Sequence, residues 1–418
     1  MDFLSNPILL TALALILSLF TAQILMKSKA KKKSPPVAGT MFHQLLNFKR
    51  LHHYMTDLAA KHKTYRLLNP FRNEIYTSDP VNVEYILKTN FENYGKGSYN
   101  YNILKDLLGD GIFAVDGEKW RQQRKVSSHE FSTKVLRDFS CGIFRKNAAK
   151  LAKILSEVAT TNQTVDIQDL FMKATLDSMF QVAFGAELDS MCGSSEEGKN
   201  FSNAFDDASS MTIFRYVDIF WKIKKFLNIG AEATMKKNTK IVNDFVFKLI
   251  SKKIEQMGSS KEESPMKRED ILSRFLQVTG NDPIYLRDDA KICFSDDTLP
   301  DGFSVRKGDM VAYQPYAMGR MKFLWGEDAE QFRPERWLNE NGIFQPESPF
   351  KFTAFQAGPR ICLGKEFAYR QLKIFAAVLL SCFEFKMSDE NRIVHYRTMI
   401  NLHIDGGLEV RVFHRNRN

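Results

Sequence analysis

Cysteine is scarce and scattered in this 418-residue chain: Cys141, Cys192, Cys293, Cys362 and Cys382 are odd in number and form no C-x-x-C pair. That excludes a disulfide framework and a structural zinc site, and it fits a reducing compartment. There is no internal repeat, so a repeat architecture is excluded too. The formal charge of +10 is spread along the chain, with no nucleic-acid reader motif beside it. A solvated basic surface follows, and nucleic acid is not among the expected partners. What the chain does have is apolar content, 44% hydrophobic with 34 Phe. It can bury one large core or two ordinary ones, which excludes a disordered chain.

One long uncharged run stands out. From Pro7 to Met26 the chain is mostly Leu, Ile and Ala, long enough as a helix to cross a hydrocarbon core about 30 Å thick. Lys27, Lys29, Lys31, Lys32 and Lys33 follow it, and only Asp2 carries charge before it. The positive-inside rule then leaves the rest of the chain in the cytosol, behind a single permanent transmembrane helix. Residues 1–33 are thus expected to be a membrane anchor with a basic flank, and 34–418 one globular domain. Ser34-Pro35-Pro36 breaks between them, because proline fixes φ and lacks a donor.

Along the globular part, Ile75-Tyr76-Thr77 reads as extended, and Asp79-Pro80 opens an amphipathic stretch with Val83, Ile86 and Leu87 on one side. Residues 93–117, rich in Gly, Asn and Tyr, read as a loop before a basic helix that starts at Gly117. Helical periodicity dominates 135–257, with Ile154, Leu155 and Val158 on one face and Ile241, Val242, Phe245, Val246, Leu249 and Ile250 on another. Residues 258–270 are charged and read as an exposed connector, with a helix resuming at Ile271. Leu299-Pro300-Asp301-Gly302-Phe303 marks a hairpin turn, followed by helix or loop to Gly319. Residues 401–404 and 408–412 alternate apolar and polar on either side of Asp405-Gly406-Gly407, as in a hairpin. The expected fold class is mainly α with small β-sheets.

The chemistry concentrates in Phe355-Gln356-Ala357-Gly358-Pro359-Arg360-Ile361-Cys362-Leu363-Gly364. A thiolate that ligates iron needs these residue types. Gly358 and Gly364 let the backbone take positive φ, approach a flat macrocycle and expose N–H groups toward the sulfur. Arg360 can reach a propionate, Phe355 can shield the sulfur, and a helix opening at Lys365 puts its positive end at Cys362. Phe367, Leu372, Phe375, Ala376 and Leu379 are the apolar positions of that helix.

The loop resembles the haem-binding signature of the cytochrome P-450 monooxygenases, and the resemblance runs over nearly the whole chain. It implies Cys362 as axial ligand to the iron of haem b. Trp120 and Arg124 match the family's W-x-x-x-R, whose side chains contact a propionate, and Arg336 in Phe332-Arg333-Pro334-Glu335-Arg336-Trp337 matches a residue that locks the meander before the cysteine. The stretches 107–113, 120–125 and 315–320 are similar to the plant group that hydroxylates long-chain fatty acids near the ω end. By resemblance, then, the chain is an endoplasmic-reticulum monooxygenase acting on an apolar substrate. Its electrons come from NADPH through a membrane-bound reductase, which could dock on Arg121, Lys125, Lys365, Arg370 and Lys373.

The chain departs from that family in its middle. The distal helix with its acid-Thr pair and the E-x-x-R helix are both missing. Asp282 to Asp288 looks like the lead-in to the first, Asp289 to Phe294 like the strand after the second, and the two are fused at 288/289. No residue is therefore assigned to proton delivery, and Arg336 is expected to lose its charge-assisted partner. The alternative reading is a catalytically inactive, truncated haem binder. A cysteine hydrolase would need a histidine base beside Cys362, and none of the eight His suggests itself.

Overall fold

The computed structural model describes residues 33–259 and 290–415, apart from 133 and 194. The apolar run 7–26, the connector 260–270, the helix expected from Ile271 and the junction at 288/289 lie outside the described residues. Among the described residues no helix is long and apolar enough to cross a membrane. The chain forms two compact units, one built from residues 33–47, 51–97 and 290–361, the other from 48–50, 98–259 and 362–415.

The first unit is organised on a six-stranded mixed sheet in the order Val37–Thr40, Thr64–Leu68, Asn73–Thr77, Met310–Tyr313, Ala290–Cys293, Tyr94–Gly95. Ile75 pairs with Val311 in parallel, and Lys291 faces Val311 from the antiparallel side. Met310–Tyr313 was expected to be helix or loop. All four of its residues are buried, so it shows none of the alternation that betrays a half-exposed strand. Asp79 caps the helix Pro80–Glu84 by accepting from the Val81 N–H at 2.9 Å. The chain then tightens into a π-type turn, Tyr85–Thr89. Val83, Ile86 and Leu87 pack, as their spacing predicts, into a core with Ile75, Val311, Phe350 and Ala357. The hairpin turn at 299–303 is present, with the Leu299 N–H donating to the Phe303 carbonyl at 2.8 Å.

The second unit is helical: Gly117–Ser132, Lys134–Thr161, Ile167–Phe184, Glu196–Phe214, Trp221–Leu227, Ala231–Ser259 and Lys365–Cys382. One further helix, Gly97–Leu108, occupies the stretch expected to be loop. Its Tyr and Asn content hides Ile103, Leu104, Leu107 and Leu108, which are all buried, and Gly109 at φ +56° ends it in the left-handed region. The C-terminal residues also differ from expectation. His403–Ile404 pairs with Tyr396–Arg397, while Glu409–His414 pairs with Phe383–Met387 and with Thr164–Asp166, so the two segments make no hairpin with each other. Asp166 accounts for this: it caps the Ile167 helix and also accepts the Leu408 N–H at 2.8 Å, drawing the strand after Gly407 to a different partner.

The Lys365–Cys382 helix is fixed against Lys134–Thr161. Phe144 and Phe367 meet edge to face with ring centroids 4.6 Å apart, and Leu151, Leu155, Phe375 and Leu379 continue the contact. The buried stripe runs through Phe367, Gln371, Phe375 and Leu379, at steps of four. Leu372 and Ala376, expected on it, are rotated to the exposed side.

Candidate functional site

The predicted loop spans the point where the chain passes from the first unit to the second. In the first unit Gln356 and Gly358 take φ of +56° and +67°, and a 3-10 turn over Gly358–Arg360 closes with the Ile361 N–H donating to the Gly358 carbonyl at 3.0 Å. A Cβ on Gly358 would lie 2.0 Å from the Leu87 carbonyl oxygen and 2.9 Å from its carbon. Glycine is demanded here by the protein's own backbone, in addition to any approach to a macrocycle. Arg360 is half-buried with its guanidinium 6.0 Å from the centre of the Phe91 ring, Phe355 is half-buried, and Ala357 is in the core.

In the second unit Cys362 is exposed, three residues ahead of the first residue of an 18-residue helix, and the Lys365 N–H donates to its carbonyl at 3.4 Å. The sulfur thus stands beside a helix N-terminus. Gly364 caps that helix at φ −81°, so the positive φ expected of it is absent, and a Cβ there would sit 3.9 Å from the Cys362 Sγ.

Trp120 and Arg124 lie one turn apart on the Gly117–Ser132 helix, Trp120 buried and Arg124 half-buried. Sequence reasoning missed what holds this helix start. Asp110 accepts from Lys119 at 2.5 Å and from the Tyr101 hydroxyl at 2.7 Å, while its carbonyl takes the Gln123 amide at 2.9 Å. The hydrogen bond from Lys119 in particular holds the Asp110 carboxyl below the usual carboxylate range. Of the basic positions suggested for a redox partner, Arg121, Lys125 and Lys373 are exposed, while Lys365 and Arg370 are half-buried.

Arg336 corrects an expectation. It retains a charge-assisted partner, donating to Asp328 Oδ1 at 3.3 Å and to the carbonyls of Asp328 at 3.0 Å and Trp325 at 2.8 Å. Arg333 contacts the same carboxylate, and hydrogen bonds from Arg333 and then Arg336 hold Asp328 below its ordinary range. The meander thus supplies its own acid within a few residues, a signal visible in sequence as the Asp eight positions before Arg336.

The donor chemistry tests which group these residues fit. All five cysteines are free, and among the described residues no three His, Cys, Asp or Glu side chains converge on a metal position. An accessible soft donor beside a helix N-terminus, as Cys362 is, would fit a haem, which would need one protein thiolate there and would supply the redox chemistry.

A cysteine between a glycine-bearing turn and a long helix, in a chain that also carries W-x-x-x-R on a helix, is the arrangement expected of a haem-thiolate protein. The family pattern described as Cytochrome P450 matches residues 32–292 and 289–405. Relatives include cytochrome P450 704C1 of Pinus taeda, 42% identical over 512 aligned positions covering 98% of each chain. Cytochrome P450 704B1 of Arabidopsis thaliana is 35% identical, covering 93% of this chain and 96% of its own. Cytochrome P450 94B3 of the same plant is 32% identical, covering 100% and 98%. The chain belongs to the cytochrome P450 family of monooxygenases, and that membership implies a haem cofactor and electrons from a redox partner.

Proposed function

We propose that this chain holds haem b through Cys362 and derives from an NADPH-dependent hydroxylase of long-chain fatty acids, anchored in the endoplasmic reticulum membrane by residues 7–26. The observation that carries this reading is the exposed Cys362 at the entrance of the Lys365–Cys382 helix. Haem bound at that sulfur supplies oxygen activation. On this reading Cys362 would hold the haem, Trp120, Arg124 and Arg360 would receive its propionates, and Phe355 would keep water from the sulfur. The fatty-acid assignment rests on resemblance in 107–113, 120–125 and 315–320 and on the apolar character expected of the substrate.

A second reading has its own support. The family pattern matches in two stretches that meet at 289–292, and the alignment with the Pinus protein runs over 512 positions although this chain has 418 residues. At least 94 aligned positions of that relative therefore face no residue here. The E-x-x-R matches at Glu118–Arg121 and Glu330–Arg333 do not stand where the family's helix requires one, and no acid-Thr pair stands in a distal helix, so on this reading the shortened chain binds haem but lacks the side chains that would deliver protons during oxygen activation. Both readings are tested together. The purified full chain, reduced and exposed to carbon monoxide, is expected to give the Soret band of thiolate ligation, which Cys362→Ser abolishes; a serine variant with an unaltered spectrum overturns the assignment. Supplying reductase, NADPH and a long-chain fatty acid separates the two: hydroxylated product establishes the enzyme, while haem without product establishes the inactive form.

A further inference from the structure

One carboxylate holds the π-type turn Tyr85–Thr89 of the first unit at both ends. The Asn90 N–H closes that turn on the Tyr85 carbonyl at 2.8 Å. Asp297, on the short strand Asp297–Thr298, takes the Tyr85 hydroxyl on Oδ1 at 3.0 Å and the Asn90 side-chain amide on Oδ2 at 2.9 Å. The same amide donates to the Tyr85 hydroxyl at 3.1 Å, so the first residue of the turn and its cap are tied into a triangle with the acid. Asp297 is itself fixed by the Tyr94 hydroxyl at 2.7 Å and the Thr298 N–H at 2.8 Å. Burial alone would raise its carboxyl, but hydrogen bonds from Tyr94, the Thr298 N–H, Tyr85 and Asn90 outweigh it and hold the group below the ordinary carboxylate value.

Between its clamped ends the turn meets the cysteine loop. The Leu87 carbonyl, in mid-turn, is the group that leaves no room for a Cβ on Gly358. Val83, Ile86 and Leu87 share a core with Ala357, and just past the turn the Phe91 ring centre lies 6.0 Å from the Arg360 guanidinium. Residues 357, 358 and 360 therefore all lean on one short segment. Single π-turns are rare and gather at functional sites, and this one has its acid supplied from the far side of the sequence.

We infer that Asp297 is a positioning residue for the cysteine loop: by clamping Tyr85 and Asn90 it sets the Leu87 carbonyl and the Phe91 ring against Gly358 and Arg360, and so fixes the turn from which the chain runs into Cys362. It acts through the π-turn and touches neither the glycine nor the cysteine. Its bearing on haem rests on the function proposed above; its bearing on the turn does not.

Two tyrosine variants separate positioning from general support. Tyr85→Phe removes one arm of the clamp and keeps the ring, whereas Tyr94→Phe removes a hydrogen bond to the same carboxylate but none to the turn. Amide hydrogen exchange in the full haem-free chain, read by mass spectrometry, follows residues 353–361, where the Gln356 and Ile361 N–H groups close on the Thr353 and Gly358 carbonyls at 3.0 Å each. Tyr85→Phe is expected to speed exchange there roughly fivefold, the contribution of about one hydrogen bond, and Asp297→Asn by more. The paired strands Asn73–Thr77 and Met310–Tyr313 should exchange as before, and Tyr94→Phe should leave the loop unchanged. In the haem-loaded chain, reduced and exposed to carbon monoxide, Tyr85→Phe and Asp297→Asn are expected to lose part of the thiolate Soret band that Tyr94→Phe retains. Exchange in 353–361 that the two tyrosine variants speed alike, or that rises equally in the paired strands, overturns the proposal. So does a thiolate band that Asp297→Asn keeps in full. An unaltered chain with no such band sinks the haem reading alone, and the exchange rates still decide whether Asp297 positions the loop.

Discussion

Replacing Gly358 by alanine puts the cysteine turn under a measurable load. At φ +67° an alanine pays about 1–2 kcal/mol for the left-handed region. Its Cβ would also stand 2.0 Å from the Leu87 carbonyl oxygen, so the two backbones must part by about 1 Å to reach the 3.0 Å below which real Cβ contacts essentially vanish. Leu87 is 1% exposed and packs with Val83 and Ile86 in the first unit's core, so it yields only by disturbing those contacts, at about 1–3 kcal/mol. Together the variant is expected to lose about 2–5 kcal/mol. That is a large share of the 5–15 kcal/mol typical of a domain. Urea unfolding of the haem-free chain, followed by far-UV circular dichroism, measures it. Gly364→Ala is the control, because φ −81° accepts any residue and its Cβ meets Cys362 Sγ at an ordinary 3.9 Å; it is expected to cost less than about 1 kcal/mol. Equal unfolding midpoints for Gly358→Ala and the unaltered chain would refute the reasoning.

Glu232→Gln leaves the buried Arg215 with Asp106 as its one remaining acid and is expected to destabilise by roughly 3 kcal/mol, read from the shift in urea midpoint. Burial alone would raise the Asp106 carboxyl, but Lys225 and Arg215 outweigh it and hold the group below the ordinary carboxylate value. Its contribution is therefore complete above that value and lost as pH falls through the depressed one. Asp106→Asn should flatten the acid end of a stability-pH profile while lowering stability at pH 7. Burial pushes the Cys293 thiol up to about 11, so at pH 8 it should resist iodoacetamide in the folded chain while exposed Cys362 is modified. Haem loading should then protect Cys362, a result mass spectrometry reads directly. Asp328→Asn removes the charge that Arg336 and Arg333 share and is expected to increase proteolytic nicking of 328–352 without changing the second unit's circular dichroism.

Chemistry was legible in the sequence because it is local. The spacing of Gly358, Arg360, Cys362 and Gly364, followed by Phe367, Phe375 and Leu379 at helical intervals, encodes a thiol at a helix entrance, and that is where Cys362 stands. The Asp79-Pro80 cap and the hairpin at 299–303 were readable for the same reason, since each rests on side chains a few residues apart. What escaped depends on partners distant in sequence. Met310–Tyr313 is a strand because it lies between Asn73–Thr77 and Ala290–Cys293, where burial on both faces erases the period-two pattern. The final strand was misassigned because Asp166, more than two hundred residues earlier, holds Leu408. Gly358 looked like a concession to a cofactor, yet its nearest constraint is the Leu87 carbonyl. Sequence by itself determined the Lys365–Cys382 helix, the cysteine at its entrance and the family resemblance, because short-range periodicity and residue type carry them. Only the tertiary structure decided which strands pair and why the turn at Gly358 admits no side chain, because close packing sets those and leaves no local mark.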